Sequence, residues 1–334
     1  MALSSRLAFI GGGNMAEAIL GGLLACGYPL SKCVISEPMQ ARCESLHAKY
    51  PGLQVLSGPQ ANLLAIDGSA SPSKTAAMIT KGTVHISPTT ASSAATAAAI
   101  PTTFEPADVV ILAVKPQVLK HVVTDLRTVL QARQPLIISI AAGIQTSTIA
   151  KFMTEGTSFQ PKDMPPVIRV MPNTPSLVNE GAAGLYATLD ATREQRQLAE
   201  SLMAAVSKQV SWVENENLID TVTGISGSGP AYFFLMMEAM EDAAVRLGMD
   251  RETAKALTIQ TCLGAAKMAQ SSPEDLKTLR IKVTSPQGTT DAAIKSFEKG
   301  GFRDLVYESV KAADMRSKTL ALELGGGKEL SSKL

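Results

Sequence analysis

The chain has 334 residues, more than one typical core accommodates, and its 31 Lys and Arg against 30 Asp and Glu leave a formal charge of +1. With no basic stripe and 4% aromatic residues it lacks the composition of a nucleic-acid binder, and no apolar run approaches the length that spans a membrane. Four cysteines without C-x-x-C spacing read as reduced or core thiols, and His47, His85 and His121, far apart and beside no acidic cluster, argue against a metal site.

The first strand is expected at Leu7–Ile10, too near the start to leave room for a leader peptide. Gly11-Gly12-Gly13-Asn14-Met15-Ala16 follows and opens a helical run to Leu24, with a second strand at Lys32–Ser36. This is G-x-G-x-x-A inside a βαβ unit, where the glycines turn the chain and admit a pyrophosphate to a helix N-terminus while Ala16 allows close packing. A dinucleotide is the expected ligand. Glu37, at the end of the second strand, is where an acid binds the ribose diol of NAD, which favours NADH. Ser36 and Arg42 lie close enough to receive a 2′-phosphate instead, and the turn at Pro38 can aim Glu37 into water, so the choice stays open.

Further strands are expected at Val109–Val114, Leu136–Ile140, Val167–Met171, Ala183–Ala187 and Gln209–Val213, alternating with helices in a parallel doubly wound pattern. Residues 66–105, dense in Ala, Ser, Thr, Gly and Pro, read as an inserted low-complexity loop whose apolar knot, Val84-His85-Ile86, suggests a short edge strand with His85 exposed.

After Glu214 the pattern becomes all helix. Pro230 opens a long helix ending before Gly248, and Phe233, Phe234, Met237 and Met240 oppose Tyr232, Leu235, Met236, Ala239 and Ala243 on it. A helix apolar on both sides must be covered on both, so packing against a second subunit is inferred. Asp250 is placed to cap a helix over Arg251–Gln270. Val283–Thr290 then reads VTSPQGTT, a turned loop entering the helical segment Asp291–Phe297 with Thr289 or Thr290 as N-cap. Such a loop suits a carboxylate or phosphate, an ordinary capped turn being the plain alternative. The chain ends in a glycine-rich tail and Ser332-Lys333-Leu334, which is either a peroxisomal address or a chance polar end on a cytoplasmic protein.

GGGNMAEAI (Gly11 to Ile19), ILAVKPQ (Ile111 to Gln117), ISIAAGI (Ile138 to Ile144), RVMPNTP (Arg169 to Pro175), VTGISGSGPAY (Val222 to Tyr232) and VTSPQGTT, in this order, closely resemble the Δ1-pyrroline-5-carboxylate reductase family. The resemblance implies an α/β fold. An N-terminal Rossmann-type doubly wound parallel sheet is expected over residues 1–213, an all-helical substrate and dimerisation domain over 214–324, and a flexible tail over 325–334. It also implies hydride transfer from NADPH, or NADH, to the C=N bond of pyrroline-5-carboxylate, giving L-proline. The expected assembly is at least a homodimer, with a ring of dimers as the higher alternative.

Carried over by position, cofactor contacts fall on Gly11, Gly12, Gly13, Asn14 and Met15, on Ser36, Glu37 and Asn62, on Ala113, Val114, Lys115 and Pro116, on Ala141, Ala142 and Gly143, and on Asn173. A turn between prolines explains Asn173 equally well. Substrate contacts fall on Ser285, Gly288, Thr289 and Thr290, where Thr290 is the residue that orients the ring nitrogen. They also fall on Glu216, which could equally be a solvated helix-start residue. Gln287 stands where the family usually has glycine, so a positive φ there would be strained. The rival readings are a β-hydroxyacid dehydrogenase, which would want a lysine that the helix from Pro230 lacks, and a non-catalytic nucleotide-binding regulator.

Overall fold

A computed structural model describes residues 4–58, 60–68 and 105–324. The chain forms two compact units. One runs to Gly227 and resumes at Met315, and the other is Ser228–Asp314.

The first unit is built on an eight-stranded sheet of β1 (Leu7–Ile10), β2 (Cys33–Ser36), β3 (Gln54–Leu56), β4 (Val109–Leu112), β5 (Leu136–Ser139), β6 (Val167–Met171), β7 (Gly181–Ala187) and β8 (Ser207–Trp212). Their spatial order is β3-β2-β1-β4-β5-β6-β7-β8. Strands β1, β2, β4 and β5 are short, mostly apolar and buried along their whole length, as a sheet covered on both faces requires. Alternation along β1 sends Leu7 and Phe9 to one layer and Ala8 and Ile10 to the other. The first layer contains α1 (Asn14–Ala25), α2 (Gln40–Lys49) and α6 (Arg193–Ala204). The second contains α3 (Ala61–Asp67), α4 (Pro116–Arg133) and α5 (Thr146–Thr154), with Leu119, Val123, Leu126 and Leu130 forming the buried stripe of α4 at helical spacing. Helices on both faces of a mostly parallel sheet make the expected doubly wound α/β architecture.

Two details differ from the sequence reading. Strand β7 runs antiparallel to β6, and β8 follows β7 in parallel, so the last two strands reverse the sheet's direction. The cause is the short link between β6 and β7, a single 3-10 turn over Thr174–Val178, which leaves no room for a crossover helix. The second difference lies at the insertion. Helix α3 extends to Asp67 and Ile66 is fully buried, so the core continues past the residue expected to begin the loop. Across the excursion, Ala107 N–H donates to Ile66 O at 2.9 Å, and the Arg6 guanidinium bonds the carbonyls of both Ala65 and Glu105. Val84-His85-Ile86 and the tail with Ser332-Lys333-Leu334 lie outside the described residues. Cys33 and Cys43 are buried core thiols, and burial pushes the Cys33 thiol up to about 12.

The second unit holds α8 (Gly229–Arg246), α9 (Arg251–Ser271), α10 (Leu276–Lys282), α11 (Thr289–Lys299) and the first turns of α12 (Phe302–Leu324). Asp250 caps α9 as expected, accepting from Thr253 N–H at 2.9 Å, and Asp275 caps α10 in the same way. Only Gly229, Ala254 and Thr258 are buried among the unit's residues. Phe233, Phe234 and Leu235 are each more than 60% exposed, as are Leu305 and Tyr307. Five helices without a core of their own present the apolar surface of a half-interface, which water cannot cover favourably.

Candidate active site

Parallel pairing brings the carboxyl ends of β2, β1, β4 and β5 to one edge, with Ile10 level with Ser36 and with Leu112, and Leu112 level with Ser139. Gly11–Met15, Ser36–Glu37, Ala113–Pro116 and Ala141–Gly143 therefore emerge along the same edge, where open α/β sheets hold ligands. Gly11 adopts φ +100, and a Cβ there would stand 2.8 Å from Ala113 O, so both conformation and space demand glycine. Gly13 precedes α1 in extended conformation, no side chain caps that helix, and a Cβ at Gly13 would meet nothing within 4 Å. An open cradle at a helix N-terminus fits a dinucleotide phosphate. Lys115 and Pro116 likewise open α4, with Lys115 exposed.

The residues flanking this loop are tied to each other. Ser36 Oγ donates to Asn62 Oδ1 at 2.6 Å. Glu37, expected to be able to face water, is instead buried, because its carboxylate accepts the N–H groups of Gly12 at 2.8 Å and Met39 at 2.9 Å. Arg42 donates to Gly12 O at 2.6 Å and pairs with Glu17, to which Lys49 also pairs at 2.6 Å. Of the three residues considered for reading the adenine-side ribose, Glu37 and Arg42 thus brace the glycine loop and Ser36 is tied to Asn62. The Asn173 carboxamide is engaged within the fold as well. It donates to Ser226 O at 3.1 Å and accepts Ala182 N–H at 2.9 Å.

In the helical unit, Gly288 rather than either threonine is the cap residue of α11, so Thr289 and Thr290 are the first two residues of the helix. Gly288 N–H donates to Ser285 O at 3.0 Å, closing the turn. Ser285, Thr289 and Thr290 are exposed, and none of their hydroxyls has a hydrogen-bond partner among the described residues. The helix end is likewise uncapped by any side chain. This loop offers hydroxyl donors and first-turn N–H groups to one small anion.

Gln287 takes φ +61, the left-handed conformation for which glycine is suited, and its N–H donates to Asp291 at 3.2 Å. The hydrogen bond from Lys295 holds the Asp291 carboxyl below the usual carboxylate range, so this acceptor stays charged. Gln287→Gly should raise stability by roughly 0.5–1 kcal/mol, the left-handed penalty less the added chain entropy of glycine. Urea unfolding at fixed protein concentration measures the change.

A third cluster was only partly visible in the sequence. Glu216 is not a solvated helix-start residue. Its carboxylate accepts both the N–H (2.6 Å) and the hydroxyl (2.7 Å) of Thr146 at the start of α5, and it lies 3.4 Å from Arg169 Nη1. Arg169 Nη2 reaches Asp220 at 3.2 Å, and Ser317 of α12 donates to the same Asp220 oxygen at 2.7 Å. Arg169 and Asp220 are each 1% exposed and Glu216 14%. The signal for Arg169 was a lone arginine inside an apolar strand. Asp220 and Ser317 left no signal of this kind.

Known proteins match both parts of the chain. A family model for pyrroline-5-carboxylate reductase dimerisation matches residues 216–320, and one for NADP oxidoreductase, coenzyme F420-dependent, matches residues 6–143. The chain is 42% identical to pyrroline-5-carboxylate reductase of Pseudomonas aeruginosa over 320 residues, covering 96% of this chain and 98% of that one. The solved pyrroline-5-carboxylate reductase of Coxiella burnetii superposes with a TM-score of 0.75 at 36% identity, over 95% of this chain and 99% of that one. The Plasmodium falciparum pyrroline carboxylate reductase solved with NADP bound shares the fold, with a TM-score of 0.70 at 23% identity, over 96% of this chain and 99% of that one.

Proposed function

The chain belongs to the pyrroline-5-carboxylate reductase family, and from that premise we propose that it is an imine reductase whose glycine-loop edge takes the nicotinamide cofactor and whose Ser285–Thr290 loop takes the substrate carboxylate. The enzyme reduces the C=N bond of 1-pyrroline-5-carboxylate with NAD(P)H to give L-proline. The observation that carries the reading is the combination, in one chain, of a dinucleotide cradle at Gly13 with a helix start whose N–H groups and three hydroxyls are unengaged among the described residues.

On this reading Gly11, Gly12, Gly13, Asn14 and Met15 hold the pyrophosphate, and Ser36, Glu37 and Asn62 form the adenosine side. Ala113, Val114, Lys115 and Pro116, together with Ala141, Ala142, Gly143 and Asn173, line the path toward the nicotinamide. When bound, the reduced nicotinamide supplies the hydride. Ser285 and Thr289 fix the substrate carboxylate through hydroxyl and first-turn N–H donors, Gly288 closes the turn that presents them, and Thr290 orients the ring nitrogen by hydrogen bonding. Glu216 stands near the substrate. A protonated imine is already an electrophile, so the protein's main work is positioning two reactants and excluding alternatives.

The matched dimerisation segment and the uncovered helical unit support a homo-oligomer. A ring of dimers is the larger assembly we propose, and light scattering at several concentrations distinguishes it from a dimer. Among the described residues no helix is long and apolar enough to cross a membrane. The bacterial relatives favour a cytoplasmic enzyme, and no comparison favours import through Ser332-Lys333-Leu334. Imaging with and without Leu334 decides between the compartments. NADPH is the preferred donor on this reading, with NADH the alternative. Parallel rates with both donors and pyrroline-5-carboxylate give the ratio, and no turnover with either, in a protein that still binds the cofactors, would favour a nucleotide-binding regulator or another imine substrate.

A further inference from the structure

The cluster of Glu216, Arg169, Asp220, Thr146 and Ser317 goes beyond packing. Two carboxylates share one guanidinium, and all three charged groups sit at the side of the sheet where β5 ends. Thr146 follows Gly143 by three residues, so the cluster adjoins a proposed cofactor segment. Arg169 and Asp220 are sealed from water, whereas Glu216 keeps 14% of its side-chain surface exposed. The N-terminus of α5 adds a partial positive charge of roughly one half, which leaves a net negative cluster whose outlet is Glu216.

A buried ion cluster of this kind costs solvation energy, and an apolar replacement would often be at least as stable. Retaining it calls for a charge that benefits. Resting on the reductase reading, we propose that Arg169 and Asp220 are positioning residues that present a surplus negative charge at Glu216 to the protonated ring nitrogen of the cyclic imine and of its amine product. Asp220 supplies the surplus, Arg169 and Thr146 fix the direction of the Glu216 carboxylate, and Ser317 pins Asp220 from the C-terminal helix. The cationic nitrogen of the substrate is then held toward Glu216 by a charge of opposite sign.

Asp220→Asn removes the surplus charge and keeps the side-chain shape. With the oligomeric enzyme and saturating NADPH, inhibition of pyrroline-5-carboxylate reduction is compared for L-proline, which carries a cationic nitrogen, and cyclopentanecarboxylate, which has the ring and carboxylate without it. The proposal expects Asp220→Asn to weaken L-proline roughly tenfold, the order of effect of one unit charge several ångströms away at an effective dielectric near 20. Cyclopentanecarboxylate and the NADPH dissociation constant should stay within about twofold by the same reasoning, because neither probe has the cation. Ser317→Ala, which leaves the charge in place, should lower the melting temperature without this selectivity. Should Asp220→Asn fail to fold, Glu216→Gln must show the same selective loss. Equal weakening of both inhibitors, or of neither, in an enzyme whose wild type turns over would overturn the inference alone. A wild type with no turnover would remove the reductase reading and the inference with it.

Discussion

Thr290→Ala should lower kcat with pyrroline-5-carboxylate by roughly 10²-fold, the scale on which losing one well-placed hydrogen-bonding or proton-handling group acts. NADPH affinity, measured by fluorescence titration, should stay within about twofold, since Thr290 lies in the helical unit and the proposed cofactor contacts lie in the other. The reason is local. Thr290 is the second residue of α11, where its hydroxyl has no partner among the described residues and costs nothing to redirect toward a substrate nitrogen. Thr290→Ser retains the hydroxyl and should recover most of the rate. Equal loss of turnover and of NADPH binding in Thr290→Ala would mean that the residue supports the fold and does not orient the substrate.

The second large effect separates two glycines only two positions apart. Gly11→Ala must place a side chain 2.8 Å from a backbone carbonyl at φ +100, so the strand-to-helix turn has to move. A destabilisation of about 2 kcal/mol or more is expected, the sum of left-handed strain and a clash that no rotamer relieves. Gly13→Ala meets nothing within 4 Å and has an ordinary φ of −66, so folding should be unaffected. Its methyl group enters the space left for the phosphates, and the NADPH dissociation constant should rise about tenfold or more, a cost of roughly 1.4 kcal/mol. Thermal unfolding paired with cofactor titration distinguishes the two. A Gly13→Ala variant that binds NADPH normally would mean that the pyrophosphate does not pass over Gly13.

What could be read from the chain and what could not divide along physical lines. A strand such as Val109–Leu112 was legible because fully buried parallel strands are unbroken apolar runs, and the glycine loop because its three glycines have separable jobs. The reversal at β7 was not legible, since it depends on the length of one link and leaves strand composition unchanged. Helix α3 reached Asp67 although an Ala- and Ser-rich run follows it, because Ile66 closes the core at a point that periodicity could not assign.

At the site, VTSPQGTT revealed a turn and a helix start, and the doubt over Gln287 was well founded, since its φ is +61. Which residue capped the helix was not readable, because Gly288 and the two threonines all suit the position. Glu37, before the turn at Pro38, and Glu216, among polar neighbours, both read in sequence as able to face solvent. Both turned inward toward backbone N–H groups, of Gly12 and Met39 in one case and Thr146 in the other. Partners such as Glu216 and Thr146, 70 positions apart, are invisible to any local pattern.

On the reductase reading, a hydride passes to the carbon of the C=N bond of a cyclic imine whose carboxylate the Ser285–Thr290 loop holds. The direct measurement is incubation of the purified protein with NADPH deuterated at the transferring C4 position and pyrroline-5-carboxylate, followed by NMR of the product. One deuterium at the ring carbon of L-proline bonded to nitrogen and remote from the carboxylate is the predicted result. Proline without deuterium, or no proline while the cofactor still binds, would contradict the account.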